Sequence, residues 1–378
     1  MKILIINQHA NNFGDEAAAI ALIEQLKRRL PNCIIYINYL GKGTIRYNSS
    51  GLVHMSSRIK NIGIKNIILK MISNKINVPY IGNAALEEYT KILDEADYIF
   101  VSPSGADLGH YNGWSALINI LLVQSYNKKV IFYLNSIDEA NNFIFELIKR
   151  RVLKKSKVYV REKRSLMYLS KIGIESKFGV DTAFLLHNNS KSNEKKYISL
   201  IYTKYDFMFT ENQKSEIEKI VTKYVIEPLM RFAKENDYKI NVIPHLGTPQ
   251  EIKYIKDKFC CYDDVFCVRN DVKDALAYDE AIANSYIVVS MRYHGIVIAG
   301  KNGVPFISLS YDTKMNEVSN YLNMDEYNFD IFSIQKDDME RVLKKIQNNY
   351  YLIERQLRDK VSTLSNTAIA PLDDIIER

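Results

Sequence analysis

The sequence predicts an α/β protein of two Rossmann-like domains facing a cleft, with a C-terminal helix packing back. Three observations carry this. A chain of 378 residues is long for one core and suits two domains. Short β-rich runs alternate with stretches of helical period, which implies βαβ units and parallel sheets. A polar, aperiodic segment at 187–196 divides that alternation into two series.

In the first series the spacing predicts strands at Lys2–Ile6, Cys33–Tyr39, Tyr98–Ser102, Val130–Asn135 and Lys157–Arg161. Amphipathic stretches at Glu16–Leu30, Leu86–Glu95, Trp114–Gln124 and Phe143–Leu153 lie between most of them. In the second series strands are expected at Tyr197–Thr203, Lys239–Pro244, Val265–Val268, Tyr286–Ser290 and Pro305–Ser310. Helices are expected at Gln213–Lys234, kinked by Pro228, and at Pro249–Lys258, Val272–Asn284 and Gly295–Lys301. A last helix, from about Asp338 to Val361, presents Val342, Ile346, Tyr350, Ile353 and Leu357 on one face. The expected division is residues 1–188 on the acceptor side, 189–335 on the donor side, and a helical segment at 336–378. Two such domains and a closing helix make the GT-B architecture of many glycosyltransferases.

Composition narrows the class. With 47% hydrophobic and 25% charged residues the chain reads as globular, not disordered. Cys33, Cys260, Cys261 and Cys267 lack the spacing of a zinc site, and so sparse a set fits a reducing compartment. The apolar start Met1–Ile6 is short for a signal peptide, and no run reaches the length of about 20 residues needed to cross a bilayer. A cytoplasmic protein is expected, with any membrane contact peripheral at the inner face. The net charge of +7 concentrates in residues 148–164 and in 56–76, where Arg58, Lys60, Lys65, Lys70 and Lys75 meet no acid. Such patches attract anions, although a solvated basic face accounts for them equally well. No recognition motif accompanies the charge, which argues against nucleic acid.

In doubly wound sheets, ligands bind beyond the C-terminal strand ends, and several loops there are chemically unusual. In Asn11–Glu16, Gly14 permits a tight turn and Asp15 suits an N-cap, or faces the cleft to bind a sugar hydroxyl. The small residues of Ser102–Gly109, including Ser104 and Gly105, let a ligand approach backbone. Arg161 ends its strand at the cleft. His245 ends another, to line the cleft or simply to pack. The strongest loop is Ser290-Met291-Arg292-Tyr293-His294-Gly295, which joins a guanidinium fork, an imidazole and the free amides of a helix start. That trio suits a small anion bearing phosphate and carboxylate. Lys314, in Tyr311-Asp312-Thr313-Lys314, adds a point charge to the same site or is a surface turn. No P-loop, G-x-G-x-x-G, H-E-x-x-H or metal-binding carboxylate cluster occurs, so a metal-free mechanism is expected.

Together N-x-G-D-E, V-R-E-x-x-S, S-M-R-Y-H-G, A-G-x-x-G-V-P and Y-D-x-K resemble the polysaccharide pyruvyl transferase family, over roughly residues 5–320. The resemblance implies a GT-B-like enzyme that uses phosphoenolpyruvate without nucleotide sugar or cofactor. Arg161, Arg292 and His294 match its donor-binding and catalytic positions, and Asp15 its N-terminal motif. Ser102-Pro103-Ser104-Gly105-Ala106-Asp107 departs from the glycine-rich loop of many members. On this reading Arg292, Arg161 and Lys314 hold the donor, and His294 protonates its methylene carbon. Asn12, Gly14, Asp15, Ser104, Gly105 and His245 face a saccharide acceptor, free or lipid-linked, and the product is a cyclic ketal. Two alternatives stay open, a nucleotide-sugar glycosyltransferase and a non-catalytic saccharide-binding protein resting on a membrane through 56–76.

Overall fold

The apolar runs pair, among the described residues, into two all-parallel sheets. A computed structural model of the chain describes residues 1–80, 82–105, 107–187, 197–203, 210–262 and 264–376. The expected linker beyond His187, and Ala106 of the small-residue loop, lie outside the described residues.

Residues Met1–Asn11, Asp15–Leu186 and Ser365–Arg378 form one compact unit; Asn12–Gly14 and His187–Leu364 form the other. The strands of the first unit are β1 (Lys2–Gln8), β2 (Ile34–Tyr39), β3 (Leu52–Arg58), β4 (Tyr98–Val101), β5 (Val130–Asn135), β6 (Lys157–Val160) and β7 (Lys177–Phe178). They stand in the order β3-β2-β1-β4-β5-β6-β7. Its helices are α1 (Phe13–Arg29), α2 (Ile59–Ile62), α3 (Ile64–Ile76), α4 (Ala84–Glu95), α5 (Trp114–Ser125), α6 (Phe143–Lys154) and α7 (Lys163–Lys171). Every residue of β5 is buried, as expected of a central parallel strand covered on both faces. Leu4, Ile6, Leu117, Phe132 and Phe145 share one core between this sheet and its helices.

The second unit repeats the plan with β8 (Tyr197–Ile201), β9 (Lys239–Val242), β10 (Phe266–Val268), β11 (Ser285–Ser290), β12 (Phe306–Ser310) and β13 (Asn328–Asp330). Their order is β10-β9-β8-β11-β12-β13. The helices are α8 (Glu211–Val221), α9 (Glu227–Glu235), α10 (Pro249–Phe259), α11 (Ala275–Ala283), α12 (Tyr293–Lys301), α13 (Thr313–Tyr321), α14 (Asp338–Asn348) and α15 (Tyr350–Ile376). Both sheets therefore follow the 3-2-1-4-5-6 order of a Rossmann fold.

The strands absent from the sequence reading are β3, β7 and β13, and each is a sheet edge. Edge strands bury one side only and lack the continuous apolar run that marks the central ones. The helix expected across Pro228 is interrupted ahead of it. The helix before it loosens into a π-turn at Thr222–Ile226, because Pro228 has no amide to donate back into that turn. The single helix expected at Asp338–Val361 is two, parted at Asn349, and the second runs on to Ile376. Leu364, Ala368, Leu372 and Ile375 extend its buried stripe past a Ser- and Thr-rich stretch of low helix propensity. From Ser365 onward α15 belongs to the first unit. There Tyr133 Oη donates to Ala368 O at 2.6 Å and Arg29 Nε donates to Asp373 at 2.8 Å.

Candidate active site

In each sheet the strand order reverses once, between β1 and β4 and between β8 and β11. Diverging connections leave a crevice beyond the strand ends at such a point. The loops after β1, β4 and β11 hold most of the residues singled out from sequence.

In the second unit, β11 ends at Ser290 and α12 begins at Tyr293, so Arg292 is its N-cap residue with extended backbone (φ −127°, ψ 135°). The turn is closed by one hydroxyl. Ser290 Oγ accepts the Arg292 amide at 3.0 Å and donates to the Arg292 carbonyl at 2.9 Å. Gly295 is required there, since a Cβ would stand 2.2 Å from Ser290 Oγ and 2.6 Å from Ile201 Cδ1. The close approach fixes the first turn of α12, and with it His294, over the ends of β8 and β11.

His294 is 5% exposed and lies against Gly14, where a Cβ would meet its ring at 2.1 Å. The His245 ring stands 6.3 Å away and nearly parallel, at 19°. Its Nδ1 is 3.1 Å from Tyr278 Oη. Burial holds the His245 imidazole well below its ordinary pKa, and the charges of Arg292, His294 and Lys314 push the same way. His245 is therefore neutral at physiological pH. The segment carrying it is fastened by Glu251, which accepts the amides of His245, Leu246 and Gly247 at 3.1, 2.8 and 2.9 Å. Phe13 completes this wall. Its amide donates to His245 O at 3.0 Å, and its ring leaves no room for a side chain at Gly247 (φ 61°).

Arg292 is the exception in this packed wall. Among the described residues no carboxylate lies within ion-pairing distance of its guanidinium, and its buried Nε has no hydrogen-bond partner. Lys314 follows β12, next to β11 in the sheet. It pairs with Asp312, the N-cap of α13, at 3.3 Å and sits 5.9 Å from the Tyr293 ring. Arg292, His294 and Lys314 thus gather around a neutral His245, at the start of a helix whose amides point outward.

The first unit places its candidates differently. Arg161, expected at the cleft as part of the donor clamp, is 2% exposed. It donates through Nη1 to Asp181 at 2.5 Å and through Nε to Ser136 Oγ at 3.0 Å, with Glu162 3.6 Å away. Two carboxylates around one guanidinium leave that position negative, which is a poor seat for a phosphate. Gly105 faces Arg161 Nη2, at 3.9 Å from a notional Cβ, and Ser104 is buried with its carbonyl accepting the Ser136 amide at 3.2 Å. Asp15 is not the N-cap expected of it. The helix begins two residues earlier, Asn12 Oδ1 accepts the Gly14 amide at 3.1 Å, and Asp15 lies buried in the first turn.

Two partners near Asp15 went unremarked in the sequence. His9, just past β1, makes a 2.7 Å contact from Nε2 to Asp107, in the loop after β4. Burial disfavours its charge, but the hydrogen bond and charge of Asp107, with Asp15 behind them, outweigh burial and raise its pKa to about 9. A polar residue just past a buried strand was the signal for His9. Nothing local marked Asp107, 98 positions away. Of the residues expected on the acceptor side, Asp15, Ser104 and Gly105 lie in the first unit, whereas Asn12, Gly14 and His245 cluster with His294 in the second.

Known proteins share this fold. Over its full length the chain is similar in fold to a UDP-GlcNAc 2-epimerase from Neisseria meningitidis bound to UDP-GlcNAc (TM-score 0.63, 12% identity, 100% of both chains covered). It is similar to a UDP co-structure of S. aureus MnaA (TM-score 0.59, 14% identity, 100% of this chain and 98% of that one). It is also similar to a UDP-N-acetylglucosamine 2-epimerase from Rickettsia bellii (TM-score 0.54, 10% identity, 100% and 99% covered). At these identities the likeness is one of fold, GT-B-like. No protein of curated function matches the chain. The family model for polysaccharide pyruvyl transferase matches residues 12–313, a span that holds every residue of the Arg292 wall apart from Lys314. The chain belongs to the polysaccharide pyruvyl transferase family, and is a transferase that acts in polysaccharide pyruvylation.

Proposed function

We propose that the protein transfers the pyruvyl group of phosphoenolpyruvate to two hydroxyls of one sugar in a cell-surface polysaccharide or its precursor, leaving a cyclic ketal and inorganic phosphate. The observation that carries this is Arg292, a guanidinium with no carboxylate partner among the described residues, set at the start of α12 beside His294. An anion with phosphate and carboxylate supplies the missing charge. Lys314 adds to the field, while neutral His245 offers a hydrogen bond without competing for the anion.

In this reaction His294 gives a proton to the methylene carbon of the enol, which becomes the methyl group, and positive charge develops at the central carbon. One acceptor hydroxyl adds there and releases its proton. Phosphate leaves with the electron pair of its C–O bond, and the second hydroxyl adds in its place. Of the two hydroxyl protons released, one restores His294 and the other leaves on phosphate. Arg292 balances the donor's charge and holds it close to the acceptor. Asp15 is assigned to the acceptor hydroxyls, with Ser104 and Gly105 as the surface they rest on. Arg161 is reassigned from clamping the donor to holding that surface, because Asp181 and Glu162 already meet its charge. His9, kept protonated by Asp107, serves as a hydrogen-bond donor there and not as a base.

The reading calls for no metal or other cofactor and no nucleic acid. It puts the enzyme in the cytoplasm, with a lipid-linked acceptor and a peripheral hold on the inner face of the membrane. Among the described residues no helix is long and apolar enough to cross one. The test supplies phosphoenolpyruvate with lipid-linked saccharides and follows phosphate release and product mass. Loss of phosphate release in Arg292→Ala and His294→Ala, both folded, is expected; near-wild-type turnover in either removes the assigned chemistry.

A further inference from the structure

The strand-end chemistry leaves one prominent surface unused. Between Glu24 and Glu87 the chain has no acidic residue. In the middle of that stretch lies α3, which is apolar on two faces. Its inner face holds buried Ile67, and Asn74 Nδ2 donates to Ser125 Oγ of α5 at 3.1 Å. Its outer face carries Ile64, Ile68, Ile72 and Ile76 at steps of four, exposed by 42, 40, 50 and 60%. Leu69 and Val78, at 38 and 53%, widen the stripe. One face of a helix collects positions four apart, so these residues form a single ridge.

The flanks of the ridge are cationic. Lys60, Lys65 and Lys75 are exposed, and among the described residues none of them, nor Lys70, meets a carboxylate at ion-pairing distance. The larger basic run at 148–164 is different. Lys149 pairs with Glu146 at 2.7 Å, Arg150 with the same carboxylate at 2.7 Å, Arg161 with Asp181, and Arg164 with Asp138 at 3.3 Å. Arg151, Lys154, Lys155 and Lys157 of that run meet no carboxylate among the described residues either, so what sets the smaller run apart is that it contains no acid at all.

We infer that the outer face of α3 docks on an anionic lipid bilayer. An apolar ridge edged by unpaired lysines, with no acid anywhere near in sequence, is the composition of a helix that lies in a membrane interface. Two copies of this chain packed through α3 would set lysine against lysine with no acid to relieve them, which disfavours self-association through this face. The surface also starts near the strand ends of the first unit. The Lys60 amide donates to Leu40 O at 3.2 Å, just past β2, and the Lys60 charge acts on His9. The inference rests on the reading above only for its purpose, which is to bring a lipid-linked acceptor to the strand ends.

The test is co-sedimentation of the full chain, without substrates, with vesicles of equal parts phosphatidylcholine and phosphatidylglycerol, against pure phosphatidylcholine. The expected result is binding to the anionic vesicles that weakens as salt rises. At about 1 kcal/mol per lysine, Lys65→Gln with Lys75→Gln lowers the partition coefficient about thirtyfold. Ile68→Ser with Ile72→Ser lowers it by about tenfold or more through lost apolar burial. The salt series on the unaltered chain needs no variant, so misfolding of one pair does not decide the matter. Wild-type protein left in the supernatant with anionic vesicles overturns the inference. So does unchanged binding by both variants, or a sedimentation-velocity dimer that the isoleucine changes split, which would give the face to a second copy. Phosphate release on a water-soluble acceptor, unchanged in both variants, separates docking from the chemistry. Loss of that release everywhere with docking intact would count against the chemistry alone.

Discussion

The two units share one strand order, yet the charges at their strand ends are balanced differently. In the first unit His9 has Asp107 and Arg161 has Asp181. In the second, Arg292 has no such carboxylate among the described residues, and Glu251, which fastens the His245 segment, accepts three backbone amides. Burial raises the Glu251 pKa, with those amides and Arg292 opposing it. A neutralised strand end suits a neutral ligand such as a sugar; an uncompensated guanidinium at a helix start suits an anion. On the proposed reading, one backbone plan serves two ligand chemistries through a handful of side chains.

The largest effect that would sharpen this contrast is at Arg292. Arg292→Ala should lower kcat/KM for phosphate release by about a thousandfold, as removal of a charge-stabilising donor does. Arg292→Lys should recover only part of it, because an ammonium cannot form the two-pronged contact. Both are read from steady-state kinetics, and near-normal rates in the alanine variant would break the comparison.

Removing the partner of a buried arginine acts on stability instead. Asp181→Ala strands Arg161 without its 2.5 Å contact and should cost about 3–5 kcal/mol in a urea titration. A small loss would mean that the first unit's charges are less tightly balanced than their geometry indicates.

A smaller effect is expected at the Gly14–His294 contact. Gly14→Ala places a methyl group 2.1 Å from the imidazole and should cost about 1–3 kcal/mol of stability, with reduced turnover. Unchanged turnover would separate the His294 ring position from catalysis.

The smallest concerns pH. The His9 pKa is raised from 6.5 to about 9, so the folded state holds its proton more tightly than the unfolded state does. The stabilisation from the His9–Asp107 contact is then complete below about pH 6.5 and fades as pH rises through about 9. His9→Gln should flatten that part of the stability curve in denaturant midpoints taken from pH 6 to pH 9.5 (both about). His245 runs the other way. With its pKa held well below 6.5, stability falls as pH drops from about 6.5 toward the folded-state value.

Features written in contiguous residues were legible in the sequence. The central strands announce themselves as buried β-branched runs, and Ser290–Gly295 brings its guanidinium, imidazole and glycine together within six positions. What escaped depended on distant partners. Arg161 reads as a free fork until Asp181 is folded beside it, and His9 as a strand-end residue until Asp107 reaches it. Gly14 reads as a turn glycine, yet its lack of a side chain serves a ring 280 positions away in the chain. Asp15 was misplaced by a cap judged from residue type alone, because Asn12 takes that role with its side-chain oxygen accepting the Gly14 amide.

The central claim is that the second unit's uncompensated guanidinium receives the donor anion. Thermal melts of wild type and Arg292→Ala, each with phosphoenolpyruvate or with UDP, test it most directly. The account predicts that phosphoenolpyruvate raises the wild-type melting temperature, that UDP does not, and that the rise vanishes in Arg292→Ala. Equal protection of both proteins by phosphoenolpyruvate, or protection by UDP alone, would contradict it.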